Sequence, residues 1–193
     1  MAKSFGDIAF TESVRRAQRR YAGREQGGGA ARVARDALGA RETDFIAARD
    51  SFYLATVAEN GWPYVQHRGG PAGFLRVLAP TRLAFADFGG NRQFVTVGNL
   101  DHDARVSLIM VDYPTRRRLK ILGRARVLDR GEASDDALLA RALPGEGAPP
   151  AERLVVIDVE AFDWNCSQHI TPRYTESEWR NRLDRPTPAR SEE

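Results

Sequence analysis

A chain of 193 residues, 42% hydrophobic and 28% charged, is long enough for one domain with a real core and has ordinary soluble composition. No apolar run approaches the ~18 residues of a membrane span, the first residues lack an apolar signal core, and one cysteine excludes an internal disulfide, so a cytoplasmic location is expected. A net charge of +3 and a pI near 9.3 suit anionic ligands without requiring nucleic acid, which is not expected as a partner.

Residues 1–44 read as a helical arm. Thr11 is placed to cap a helix running to Tyr21. Its Arg15, Arg16, Arg19 and Arg20 read as a solvated face, because no aromatic platform for RNA bases is interleaved with them. The glycines within 26–30 predict a flexible connection. A second helix is expected over 41–49, with Thr43 as its cap and Phe45 and Ile46 as its apolar contacts.

The chain is organised around 52–127. Strand-length apolar runs alternate there with turn signals: 52–57, 63–68, 73–78, 82–87, 105–111 and 117–127. Asn60-Gly61 is a hairpin signal. Six such segments at this spacing predict a closed or nearly closed antiparallel sheet with flanking helices. In 117–127, Leu119, Ile121, Gly123, Ala125 and Val127 share one parity and should face the interior. Arg118, Lys120, Arg124 and Arg126 share the other. The small Gly123 and Ala125 predict something bulky opposite, such as a neighbouring aromatic ring.

Gly89-Gly90-Asn91-Arg92-Gln93 interrupts the meander. Glycines allow close approach of backbone to ligand, and Asn-Arg-Gln offers several donors in a small space, which suits a phosphate-like oxyanion. The FVTVGNL that follows fits a short helix or a strand equally well. Further on, 132–143 reads as a helix, 143–150 as a loop and 153–162 as a strand apolar enough to be central. A polar tail occupies 176–193, with its end expected to be disordered. His67, His102 and His169 show no zinc-type spacing, so no metal site is expected, and Cys166 reads as a packed thiol.

Four landmarks, in order and spacing, carry a family resemblance. They are Gly61-Trp62-Pro63-Tyr64, then Phe85 to Gln93, then Asn99-Leu100 before an apolar strand, and then Arg116 to Ala125. With the C-terminal DWNCSQHITPR, these make the sequence resemble the pyridoxamine 5'-phosphate oxidase-like FMN-binding split barrels. The resemblance implies a mainly β split barrel over 45–175, acting as a homodimer with FMN at the subunit interface. It places Gln66, His67, Arg68, Gly69, Ala86 and Asp87 against the flavin. Asn91, Arg92 and Gln93 correspond to the group that holds the FMN phosphate. Gln93 stands where the oxidases have a lysine, a charge that Arg116, Arg117 or Arg118 could supply. Arg118 also matches a flavin-contacting glutamine.

Trp164, Gln168, His169 and Arg173 match a segment that reaches the flavin of the other subunit, with His169 the candidate proton carrier. The implied function is FMN-dependent oxidoreduction of a small molecule. Vitamin B6 oxidation itself is not expected, because the chain continues past Tyr174 where the oxidases end. The alternatives are a haem-binding or haem-degrading split barrel, or a non-catalytic flavin-binding module.

Overall fold

The computed structural model describes residues 4–25, 37–143 and 150–184. Seven antiparallel strands form one sheet: β1 (Ser51–Val57), β2 (Pro63–Gly69), β3 (Arg76–Ala79), β4 (Arg82–Phe88), β5 (Arg105–Asp112), β6 (Arg117–Asp129) and β7 (Ala151–Asn165). The order across it is β2-β1-β5-β6-β7-β4-β3. Its helices are α1 (Phe5–Ala9), α2 (Glu12–Ala22), α3 (Ala40–Ala47), α4 (Val95–His102), α5 (Arg130–Asp135), α6 (Ala137–Ala140) and α7 (Glu176–Leu183). The sheet curls until β2, at one edge, approaches β4 near the other. No backbone ladder joins them, and this gap is the split of the barrel.

Alternation explains the core. On β6, Leu119, Ile121, Gly123 and Ala125 are buried, as their shared parity requires. The opposite parity finds charged or aromatic neighbours: Arg124 pairs with Glu160 at 2.7 Å, Arg126 with Asp158 at 3.0 Å, and Lys120 lies over the Phe5 ring of α1. The inner face packs Phe52, Leu54, Phe85, Leu108, Met110, Ile121 and Ile157 into one cluster. Leu38, within the expected arm, and Phe45 and Ile46 of α3 belong to the same cluster. β7 is central as expected. Its other face carries Leu154 and Val156, packed with Leu139 and Ala142 into a second cluster.

Several local expectations are corrected. What lies opposite Gly123 is backbone, not an aromatic ring. β7 bulges here, since Leu122 pairs with Ala161 but Gly123 with Val159, and a Cβ on Gly123 would sit 2.5 Å from the Asp158 carbonyl oxygen. α3 starts three residues before Thr43; its N-cap is Gly39, whose N–H donates to Glu42 Oε2 at 3.1 Å. The predicted 132–143 helix is broken into α5 and α6, because extended Asp136 accepts from the Leu139 N–H and restarts the turn. The polar tail opens with α7, which Thr175 and Glu178 close in a reciprocal capping box. Thr11 caps α2 as expected, and Arg16 and Arg19 pair with Glu12 on a helix without buried residues. The glycine connection, most of the 143–150 loop and the tail end from residue 185 lie outside the described residues.

Gly123→Ala should therefore destabilise the fold by about 1–3 kcal/mol, because rigid backbone and not a mobile side chain occupies the Cβ position. The check is a lower denaturant midpoint with an unchanged slope.

Candidate functional site

The split holds an open cleft of about 240 Å³. β2 supplies its first wall. Its alternation turns Tyr64, Gln66 and Arg68 toward the cleft and leaves Val65, His67 and Gly69 exposed. The end of β4 supplies Asp87 and Phe88, the glycine loop supplies Asn91, Arg92 and Gln93, and β7 begins with Glu152 and Arg153. The undecided FVTVGNL segment is a helix, α4, and it points its first turn at this cleft: Val95, Thr96 and Val97 line it.

The loop geometry is set by local chemistry. The Asn91 side chain accepts from the Gln93 N–H at 3.2 Å, an Asx turn. Arg92 and Phe94 are then both left-handed, with φ of 58° and 52°. Such strain in non-glycine residues collects at ligand sites. Phe94 is the N-cap of α4 and offers no side-chain acceptor, so the leading N–H groups keep their capacity for an anion. α4 itself is pinned from behind. Asn99 Nδ2 donates to Thr56 Oγ1 at 2.9 Å, and Thr96 Oγ1 donates to Gln66 Oε1 at 2.9 Å.

Three arginines and two carboxylates share the cleft. Asp87, 8% exposed, accepts from Arg68 at 2.8 Å and from Arg153 at 3.3 Å. Arg68 Nε is buried without a partner. Arg153 lies over the Phe94 ring at 4.9 Å and also pairs with Glu152 at 2.5 Å. An orphaned guanidinium nitrogen, an uncapped helix start and Arg92 form a donor set suited to a phosphate group.

The expected site residues divide into three groups. Gln66, Arg68, Asp87, Asn91, Arg92 and Gln93 come together in this cleft. His67, Gly69 and Ala86 line a smaller adjoining cleft of about 180 Å³ that shares Arg68 and Asp87. His67 itself packs edge-on against Tyr53 at 5.5 Å. The third group lies at the far end of β7. Arg118 pairs with Asn165 in the ladder and donates to the Cys166 carbonyl at 2.8 Å. Trp164 meets Phe45 edge-to-face at 4.8 Å, donates to Glu42 Oε1 at 2.7 Å and carries Arg41 over its ring. Gln168, His169 and Arg173 are exposed, and Cys166 is exposed too, not packed.

The same end of the molecule holds a charged cluster around Asp112, which pairs with Arg49 at 3.5 Å and Arg117 at 3.3 Å. Burial pushes the Asp112 carboxyl up, but hydrogen bonds from Thr115 and the Arg49 charge outweigh it, and the net shift is downward. Its stabilisation is thus present above the ordinary value of 3.8 and fades as pH falls through the lower folded value. Arg116, Arg117 and Arg118 sit at or beside this hairpin, away from the cleft. Arg68 and Arg153 are the cations that line the cleft together with Arg92 and Gln93.

Arg153 and Glu152 were not legible as site residues, since Arg153 read as the start of an apolar strand and Glu152 fell just before it. Thr96 was hidden in the undecided segment. Among the described residues no group of three His, Cys, Asp or Glu is close enough to hold a metal, and no helix is long and apolar enough to cross a membrane.

The fold and this site can be set against known proteins. The family model for pyridoxamine 5'-phosphate oxidase matches residues 39–166, two-thirds of the chain. The chain belongs to the pyridoxamine 5'-phosphate oxidase family. HupZ of Group A Streptococcus superposes with a TM-score of 0.51 at 14% identity, covering 71% of this chain and 100% of its own. A protein of Lactobacillus delbrueckii, described as a candidate pyridoxamine 5'-phosphate oxidase, gives 0.50 at 22% identity and covers 66% and 94%. At such identities these likenesses concern the fold alone. A comparison with curated proteins gives no match.

Within one chain Trp164 is a structural residue of the α3 contact. Trp164→Ala should cost about 2–4 kcal/mol, through lost packing and an unpaired buried Glu42 oxygen. Urea unfolding monitored by far-UV circular dichroism measures it.

Proposed function

We propose that this family member binds FMN and is an oxidoreductase acting on a small molecule. The observation that carries this reading is the convergence on one cleft of Arg92, the orphaned Arg68 Nε and the uncapped start of α4. Arg92 and the α4 N–H groups would hold the phosphate. Gln66 and Thr96, already bonded to each other, offer amide and hydroxyl atoms to the ribityl hydroxyls. Bound flavin supplies the redox chemistry, so the chain needs to bind, orient and exclude water and needs no triad of its own. A planar donor, a reduced nicotinamide or a heterocycle, is the substrate class this arrangement suits.

The cleft also argues for a homodimer. Its volume of about 240 Å³ lies below the roughly 300–1,000 Å³ of pockets that enclose a cofactor-sized ligand. A further wall is needed for the ring. The exposed segment Gln168, His169 and Arg173 stands at the other end of β7 from its own cleft, which supports a role for it in the cleft of a second copy. His169, held at φ 61°, is the candidate to carry a proton at the ring, and Arg118 and Trp164 would complete that wall.

Purified protein should show flavin absorbance near ~450 nm, and Arg92→Ala should weaken FMN binding about tenfold to a hundredfold without loss of fold. A folded Arg92→Ala that titrates FMN like wild type removes the loop from the site. An absorbance maximum near ~400 nm would favour haem instead. Light scattering should give a mass twice the 21.5 kDa of one chain; a flavin-loaded monomer would contradict the shared site.

A further inference from the structure

The cleft carries a carboxylate that no fold requirement explains. On β7, Asp87 pairs with Arg153 and Phe88 with Ala151, so Glu152 is the extra residue of a β-bulge. Regular alternation would send Glu152 and Arg153 to opposite faces; with the bulge, both line the cleft. Glu152 Oε2 accepts from Arg153 Nη2 at 2.5 Å. Its Oε1 lies 2.8 Å from the position a Cβ on Gly89 would take, directly against the glycine loop.

The two carboxylates of the cleft differ in how firmly they are held. The Asp87 side chain is 10% exposed and is gripped by Arg68 and Arg153 together. The Glu152 side chain is 48% exposed, and Arg153 is its ion-pair partner. Removing Glu152 leaves Arg153 still fixed by Asp87 and by the Phe94 ring beneath it. The guanidinium is therefore preorganised, and its outer donor is occupied by a weakly held internal anion.

We propose that Glu152 is a built-in competitor for the anion site, a displaceable counter-ion that a phosphate dianion must replace on Arg153. This rests on the reading of the cleft as a phosphate site and adds to it a residue that sets how tightly a phosphate is held. A dianion gains Arg92, the α4 N–H groups and Arg153 at once, and so can displace a single half-exposed carboxylate. A neutral ligand does not compete for Arg153 and is indifferent to Glu152. Glu152 thereby weakens the phosphorylated form alone and narrows its advantage over the unphosphorylated form of the same ligand.

The test is calorimetric titration of wild type, Glu152→Gln and Glu152→Ala with inorganic phosphate, FMN and riboflavin at fixed salt. Removing one partly exposed competing ion pair should tighten phosphate and FMN by about threefold to tenfold in both variants and leave riboflavin unchanged. Unchanged or weaker phosphate and FMN binding in both variants overturns the proposal. So does an equal gain for riboflavin, which would make the effect one of space and not of charge, and so does an absence of phosphate binding in all three proteins. If wild type binds FMN but the variants bind it no better, the competitor role falls and the flavin reading stands. If phosphate binding tightens while no protein binds flavin, the flavin reading falls and the competitor role stands.

Discussion

The cleft depends on the ion pair that crosses the split. β2 and β4 stand first and sixth in the strand order, so no ladder can hold them together. Arg68 and Asp87 do so at 2.8 Å, and Arg153 adds a second cation from β7. Both partners of the 2.8 Å pair are largely buried, at 17% and 10% side-chain exposure, so the contact is weakly screened. Beneath it, Phe52 stacks on Phe74 at 5.4 Å and meets Phe85 edge-on at 5.3 Å. Aromatic packing brings the edges near; the charges fix their spacing. The phosphate-type donors are then arranged around this pair: Arg68 spends a terminal nitrogen on Asp87 and keeps its Nε without a partner, and Arg92 stands exposed on the loop beside it.

Much of this was legible because period-2 patterning is a direct consequence of strand geometry. The inward parity of β6, the central place of β7 and the existence of seven strands follow from it, while β3 starts three residues later than the 73–78 run and β7 extends past both ends of 153–162. Capping chemistry was legible at Thr11, where side chain and helix period agree, and not at Thr43, where Glu42 reaching back to Gly39 moved the helix start forward. α4 was undecided because Val95, Thr96 and Val97 are β-branched; the deciding contacts, Asn99 to Thr56 and Thr96 to Gln66, span 43 and 30 residues. Bulges were invisible for the same reason. An extra residue in β7 is defined only against its partner strands, yet the two bulges decide why Gly123 is glycine and why Glu152 and Arg153 share a cleft.

Among the described residues, strain and unsatisfied polarity fall in two places, and their distribution bears on how the site is built. Among the described residues, the left-handed non-glycine ones are Arg92 and Phe94 at the cleft, and Arg116 and His169 at the β5–β6 hairpin and C-terminal segment. The buried polar side-chain atoms without partners divide in the same way: Arg68 Nε at the cleft, and Arg49 Nε, Arg118 Nε and Asn165 Oδ1 at the far end. Each departure costs free energy that a fold alone has no reason to keep. These two regions lie at opposite ends of the 15-residue β7, so one chain cannot bring them onto one small ligand. The proposed two-fold dimer would do so by setting the start of one β7 beside the end of the other, an arrangement that an isologous contact repeats twice over. On the proposed dimer, both sets of strained residues would then serve a single kind of site. The phosphate end would come from one copy and the ring-facing end from the other, and the rigid strand between them would fix the distance.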